Sequence, residues 1–351
     1  MLRYLETDST DPAYNLAFEE LVLERRREGD YLLLWQNAPT AVIGLNQIAA
    51  AEVDTEYAAA HGIAVVRRST GGGAVYHDAG NLNYSLIGDA GDAAALSLAR
   101  FMQPVCAALR SLGVPAEVTG RNDIAVEGRK VSGTAQRLSG GRVLHHGTLL
   151  FETDRETMSA VLRPGPGKFE SKAAKSVRSR VGQIRDYLPP EVTLAGFRSA
   201  LLAALGGSGL ERVRLSDAEL AAVERLAEEK YRSPDWTWGR APLFGFSNER
   251  RFAAGTLAVS LDVEEGVIRA ARISGDFLAV VPCTPAEEAL RGAPFERAAA
   301  AAALAPLDLP PCSAAWARRS CSRSCSECFC LKCAASARGV CIKYNPVSKF
   351  L

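Results

Sequence analysis

Apolar positions in this chain alternate between helical and extended periods. Tyr14, Ala17, Phe18, Leu21 and Val22 recur at the i, i+3, i+4, i+7, i+8 spacing of one buried helical face, which predicts a helix over residues 11–28. Asp11 suits its cap, Pro12 its first helical position and Gly29 its end. Runs at 31–35 and 40–43 read as strands joined by the turn-prone Asn37-Ala38-Pro39, and 63–67 and 83–87 read as two more. Leu98, Phe101, Met102, Val105 and Leu109 mark a helix over 96–112, with Pro104 set against a straight course and Gly113 as its stop. Strands are expected at 123–126, from 130 onward after the Glu127-Gly128-Arg129 turn, and at 143–151.

Helices are predicted again at 194–205 and 216–230, the second opened by the capping box Ser216…Glu219. Residues 233–239 read as a linker, 251–263 as one strand and 267–273 as its return across a turn at 264–266. Tight turns and helices both connect strands in the first part. The expected class is therefore α+β, a mixed and largely antiparallel sheet with flanking helices, not a doubly wound sheet. The domain reading is 1–232 as the main domain, 233–245 as linker, 246–310 as a small accessory domain and 311–351 as a distinct tail, with no internal repeats.

Charge and composition narrow the partners. The 351 residues carry 41 basic and 40 acidic side chains, net +1, so no general attraction to nucleic acid is expected. No apolar run approaches the roughly 20 residues of a membrane span, and the polar start lacks a secretory h-region, so a cytoplasmic protein without membrane attachment is expected. Of nine cysteines only Cys106 and Cys283 precede residue 312. Cys321, Cys325, Cys328, Cys330 and Cys333 follow a C-x3-C-x2-C-x-C-x2-C pattern flanked by Cys312 and Cys341. Such density suits zinc or an iron–sulfur cluster; the abrupt compositional change equally suits an aberrant chain end, and the sequence leaves both open.

The chemistry-bearing segments come next. Arg67-Arg68-Ser69-Thr70 precedes Gly71-Gly72-Gly73. Glycines let backbone N–H groups approach an anion, and arginines add bidentate donors. A bare triple glycine is also an ordinary flexible hairpin, and this one is neither a Walker A loop nor a dinucleotide fingerprint. Lys130 begins a strand after a polar turn, where a lysine is ordinarily exposed; among phosphates it would instead be a compact positive charge. His145 and His146 are adjacent, so at most one faces a pocket, and neither shares zinc-type spacing with His77. Residues 168–180 form a basic run, ordinarily a solvated face.

Together these segments resemble the lipoate–protein ligase family. Residues 67–78 (RRSTGGGAVYHD) look like its nucleotide signature and 128–136 (GRKVSGTAQ) like its lysine motif. The strand 145–150 (HHGTLL) and the segments 175–181 (KSVRSRV), 251–256 (RFAAGT) and 274–277 (SGDF) follow in family order, so the resemblance covers about residues 1–300. It implies a catalytic domain of the biotin-ligase and class II synthetase type with a small α/β accessory domain. It also implies two half-reactions: lipoate and MgATP give lipoyl-adenylate, and the lipoyl group passes to a lysine of an acceptor. The acceptors implied are apo lipoyl domains of 2-oxoacid dehydrogenases or a glycine-cleavage carrier protein. By the same resemblance Lys130 is the catalytic residue, contacting phosphate and lipoyl carboxyl. Arg68, Gly73, Ala74, Val75, Tyr76, Asn122 and Asp123 would bind ATP, with Asp123 also toward Mg²⁺. Trp35, Gly72 and His146 would line the lipoyl pocket. Lys172, Lys175, Arg178 and Arg180 would close over the adenylate. A monomer is expected, and octanoate is an alternative acid.

Two rivals follow. An ATP-independent octanoyl- or lipoyltransferase of the same superfamily would need a cysteine shortly before the lysine motif, where residues 118–123 have none, and Cys106 falls on a predicted core helix face. A biotin ligase would arrange its glycine–arginine signature differently. A non-catalytic lipoate-binding protein would have no use for Lys130 together with the full glycine segment.

Overall fold

The structure is a computed structural model describing residues 1–91, 98–120, 122–162, 181–207, 209–239, 246–252, 255–264, 266–277, 279, 281–295 and 297–307. Its strands are β1 (Leu2–Glu6), β2 (Asp30–Trp35), β3 (Thr40–Ile43), β4 (Ala64–Arg67), β5 (Val75–His77), β6 (Asn81–Asp89) and β7 (Ala116–Thr119). They continue with β8 (Asp123–Val126), β9 (Arg129–Ser139), β10 (Arg142–Leu150), β11 (Leu210–Arg212), β12 (Phe246–Phe252), β13 (Gly255–Glu264) and β14 (Val267–Ser274). The α-helices are α1 (Pro12–Arg25), α2 (Ala49–Glu52), α3 (Thr55–Ala60), α4 (Leu98–Ser111), α5 (Arg155–Val161), α6 (Leu194–Gly206), α7 (Asp217–Leu226), α8 (Pro234–Trp238), α9 (Thr284–Leu290) and α10 (Arg297–Leu304).

Eight strands form the main sheet in the order β11-β1-β2-β6-β10-β9-β8-β7. The β11–β1 and β1–β2 pairs are parallel and every later pair is antiparallel, so the sheet is mixed and mostly antiparallel as the connections predict. Alternation along the strands gives it two buried faces. Leu32, Leu34, Leu82, Tyr84 and Leu149 pack on Met102, Val105 and Leu109 of α4 and on Phe197 and Leu201 of α6. Leu33, Trp35, Ile87 and Leu144 pack on Leu16, Phe18, Leu21 and Val22 of α1, with α7 outside them.

Asp11 caps α1 by accepting from the Ala13 N–H at 2.9 Å, and Pro12 occupies the first turn. The helix is not simply amphipathic. Asn15, Glu19 and Glu20 are buried as well, because α1 lies between the sheet and α7. Glu20 takes Lys230 at 2.6 Å, Arg137 at 2.7 Å and the Tyr231 hydroxyl, and these positive neighbours hold its carboxyl below the ordinary range against the opposing effect of burial. α4 runs unbroken through Pro104.

Two expectations are corrected. Residues 233–239 are not a bare linker: Pro234 opens α8, which is fastened to β4. The strand expected over 251–263 is two strands, β12 and β13, and Gly255 at their junction has φ 130° with the Phe277 Cα 2.5 Å from where a Cβ would sit. β1 and β11 were not anticipated; each is short, and β1 is held by pairing with both β2 and β11.

β3, β4 and β5 form a second sheet in the order β4-β3-β5, and β12-β13-β14 a third that packs with α9 and α10 around Leu257, Ile268, Phe277 and Leu290. This third sheet touches the main domain through two backbone bonds, Gly72 N–H to Phe277 O at 3.0 Å and Gly275 N–H to Asn46 O at 2.9 Å.

Candidate active site

β2, β6, β10 and β9 lie side by side, and their register puts Trp35 opposite Asn83, Asn83 opposite Thr148, and His146 opposite Ala135. On β6, Asn81, Asn83 and Ser85 alternate with apolar Leu82, Tyr84 and Leu86, so the strand turns a polar row toward the α1 side although all three are buried. Of that row Asn83 lines the floor of a cleft, together with Trp35, His146 and Thr148 of the neighbouring strands. Its walls are Leu16 of α1, Val42 of β3, Arg68, and the chain from Gly72 to Val75 with His77; Asn122, Lys130, Gly133 and Thr134 close the other end. The cleft measures about 610 Å³ with the solvent at its mouth included. Strands stand about 4.8 Å apart, so from Lys130 on β9 to Trp35 on β2 the cleft spans roughly 14 Å.

The lysine end is built by glycine. The Lys130 Nζ lies 2.8 Å from the Asp123 Oδ1, and the side chain is 37% exposed, open to the cleft and not solvated as a free surface lysine. A Cβ on Gly133 would meet that Nζ at 2.7 Å, so the lysine folds into the space that the missing side chain leaves. The Lys130 backbone pairs with Val181, and its carbonyl accepts from Gly182 N–H at 2.8 Å. Asn122 donates from Nδ2 to the Thr134 carbonyl at 2.9 Å and so fixes the turn beside Lys130.

The two arginines have different tasks. Arg67 is fully buried and gives its guanidinium to the carbonyls of Gly44, Leu45, Gln47, Trp236 and Thr237 at 2.6–3.0 Å. It is a staple for the loop after β3 and for α8, and the expectation that both arginines supply anion donors is corrected for it. Arg68 holds the glycine segment, donating to the carbonyls of Gly71 at 2.6 Å and Gly73 at 2.9 Å, and to the Thr70 hydroxyl at 2.9 Å. Burial lowers its pKa to about 10, which leaves it charged at neutral pH. It lines the cleft as the resemblance implies, with much of its donor capacity spent on the loop.

Behind the floor runs a buried relay. The Thr70 hydroxyl, which accepts from Arg68, lies 2.7 Å from the His146 Nε2; the His146 Nδ1 faces the Glu19 carboxylate at 3.0 Å. Ser85 donates to Glu19 at 2.5 Å, and the Trp35 indole N–H donates to Ser85 at 2.9 Å. In the Nδ1–H tautomer of His146 each of these donors finds its acceptor. Trp35 and His146 both line the cleft, and Glu19 and Ser85, which the sequence reading passed over, connect them to the glycine segment.

Other expected residues divide. Gly72, Gly73, Ala74 and Val75 line the cleft. Tyr76 does not: Val75 and His77 face the cleft, so alternation on β5 sends the Tyr76 side chain into the core with Ala41, Ile43 and Val161, where burial raises its pKa to about 12. Gly72, at φ 93°, needs glycine, but its N–H donates to Phe277 of the third sheet and not toward an anion. Asp123 reaches the site through its pair with Lys130. Among the described residues no three His, Cys, Asp or Glu side chains gather as a metal cage. Lys172, Lys175, Arg178 and Arg180 and the cysteine-rich tail lie outside the described residues. Cys106 and Cys283 are buried in the cores and neither lines the cleft. No helix among the described residues is long and apolar enough to cross a membrane.

Comparison with known proteins gives this geometry a family. Residues 11–206 match the model of the lipoyl protein ligase A/B catalytic domain, and 241–313 match that of the bacterial lipoate protein ligase C-terminus. The lipoate-protein ligase LplJ of Bacillus subtilis (strain 168) is 39% identical over 305 residues, covering 85% of this chain and 92% of that protein. Among solved structures, a bi-partite lipoate protein ligase from Thermoplasma acidophilum, described with its E2 lipoyl domain, is 31% identical at a TM-score of 0.60, covering 70% of this chain and 98% of that one. A lipoate-protein ligase A bound with ATP is 27% identical at a TM-score of 0.57, covering 68% and 98%. With both its domains matched in order and the lysine, glycine and histidine segments gathered around one cleft, the chain belongs to the lipoate–protein ligase family.

Proposed function

We propose that this protein activates lipoate with ATP and transfers the lipoyl group to a lysine of an acceptor protein. The observation that carries the reading is the cleft itself, with an ammonium at one end and the apolar Leu16, Trp35, Val42 and Val75 set among polar side chains along the rest. A carboxylate with a medium-length apolar tail satisfies both ends at once. In the first half-reaction the lipoate carboxylate oxygen attacks the α-phosphorus of ATP, the bond to the β-phosphate oxygen breaks, and pyrophosphate leaves. Lys130 neutralises charge on the carboxylate and on the α-phosphate oxygens as they crowd together. Its pair with Asp123 keeps the Nζ at this position before the anions arrive. Gly73, Ala74, Val75 and Arg68 form the wall for the nucleotide, and Mg²⁺, with Asp123 nearby, would shield the phosphates.

In the second half-reaction the acceptor amine attacks the acyl carbon and AMP leaves. The adenylate is itself the activated species, so no protein nucleophile is required, and among the described residues no cysteine lines the cleft, which favours this route over thioester transfer. The relatives named above support ATP as the co-substrate and a lipoyl domain as the acceptor. Domains of 2-oxoacid dehydrogenases and a glycine-cleavage carrier protein are the acceptor classes to try first. Lipoate-dependent exchange of labelled pyrophosphate into ATP tests the first half-reaction alone. Exchange in the parent that is lost in Lys130→Ala supports the reading, whereas acceptor modification that proceeds without ATP contradicts it.

A further inference from the structure

One row of residues crosses four strands of the cleft: Trp35 on β2, Asn83 on β6, Thr148 on β10 and Gly133 on β9. The β10–β9 ladder stops one pair short of that row, at Gly147 opposite Thr134. Beyond it the strands part, and the Gly133 N–H donates to a side-chain acceptor, the Thr148 Oγ1, at 3.2 Å. Thr148 is buried and lines the cleft. A threonine hydroxyl has one proton and two lone pairs. Gly133 fixes one lone pair, and among the described residues the Thr148 hydroxyl makes no other hydrogen bond, so its proton is left for a ligand. The other threonine hydroxyls around the site are spent. Thr134 donates to the Asn122 carbonyl at 3.1 Å, and Thr70 lies on the His146 Nε2 at 2.7 Å.

The Lys130 Nζ lies over the same Gly133, 2.7 Å from where a Cβ would stand, so the ammonium and the Thr148 hydroxyl flank one glycine. We infer that Thr148 is a further catalytic residue. Its hydroxyl donates to the acyl oxygen of the adenylate and, with Lys130, stabilises the oxyanion that forms when the acceptor amine attacks. This rests on the lipoate-activating reading above. In that step the N–C bond forms and the carbonyl π pair moves onto the oxygen. The pair then returns as the C–O bond to phosphate breaks with its electrons going to AMP, and the proton shed by the amine passes to the AMP phosphate. A donor already aimed at the place where charge develops needs no reorganisation during the reaction, and losing one slows such a step by about 100-fold or more. In the activation step the carboxylate loses charge instead of gaining it. The same donor there favours bound lipoate over the transition state, so its removal shows as a higher KM for lipoate.

The test separates the two half-reactions in the full chain. Single-turnover transfer from preformed lipoyl-adenylate to an apo lipoyl domain is timed beside lipoate-dependent pyrophosphate exchange, for the parent, Thr148→Val and Thr148→Ser. The inference requires Thr148→Val to slow transfer by about 100-fold, a loss at least about tenfold larger than its loss in kcat/KM for exchange. Thr148→Ser, which keeps the hydroxyl, should transfer within about threefold of the parent. Equal losses in both half-reactions overturn the inference, because they mark a hydroxyl that only holds Gly133 in place. A serine variant as slow as the valine one overturns it too, as does transfer by Thr148→Val within about threefold of the parent. Should Thr148→Val melt below the assay temperature, Thr148→Ala is held to the same outcomes. A parent that neither exchanges nor transfers overturns the ligase reading itself and is told apart by that total inactivity.

Discussion

Gly133→Ala separates where the Lys130 ammonium sits from whether it is present. Gly133 has no left-handed backbone angle, so alanine fits its conformation and strengthens the strand interior by about 0.5–1 kcal/mol. The added Cβ would stand 2.7 Å from the Lys130 Nζ and 2.9 Å from its Cε, and only the far end of a flexible side chain needs to yield. Ordinary contact begins near 3.4 Å, so the Nζ must move by about 0.7 Å, close to the 1 Å scale at which misplacement is felt. A displacement of that size costs on the order of 100-fold in rate, about 2.7 kcal/mol of transition-state stabilisation. The assay is kcat/KM for lipoate-dependent pyrophosphate exchange, with a thermal melt on the same preparation. The expected pair is a melting temperature equal to or above the parent's and exchange down by about two orders of magnitude. Exchange within about threefold of the parent, at full stability, would refute the claim that the position of Lys130 matters.

Arg67→Met strands five buried backbone carbonyls and should lose at least about 3 kcal/mol in urea unfolding; a loss below about 1 kcal/mol contradicts the staple role. Buried His77 and His145 both have pKa values lowered to about 3, so below pH 6.5 the unfolded chain takes up protons that the folded chain does not. Stability should fall as pH drops from 6.5 toward 3, by up to about 1.4 kcal/mol per unit for each histidine, and His145→Gln should make the fall shallower; a flat urea midpoint between pH 7 and 5.5 would count against it. Gly71→Ala puts a Cβ 2.7 Å from the Ala279 N and should loosen the third sheet from the glycine segment, read as faster hydrogen exchange at Gly72 and Gly275; unchanged protection at both would show that the contact is not tight.

Much of this fold was written in local pattern. The helix caps at Asp11 and Ser216 and the strands β2, β6, β8, β9 and β10 of the main sheet stand close to where periodicity puts them. What escaped were short elements whose stability comes from neighbours, such as β1, β11 and α8. The site was legible where residues carry a distinctive chemistry in sequence order: Lys130, the glycine segment, Trp35 and His146. Arg67 and Arg68 are indistinguishable in sequence, because their roles depend on carbonyls brought from Gly44 to Thr237 by the fold. One signal was readable and went unused. Asn81, Asn83 and Ser85 at every second position of an otherwise apolar strand mark a buried polar row, and Asn83 of that row lines the cleft. Glu19 gave no such signal, since a glutamate on a helix reads as solvated until the sheet and α7 are seen to cover it.

The central claim is that the acyl group is activated by ATP at Lys130 and then moved to a protein lysine. Intact-mass spectrometry of an apo lipoyl domain incubated with this protein and lipoate, with and without MgATP, tests it most directly. The account predicts the mass of one added lipoyl group with MgATP, no change without it, and little or none with Lys130→Ala. Equal modification in the absence of ATP, or full modification by the Lys130→Ala variant, would contradict it.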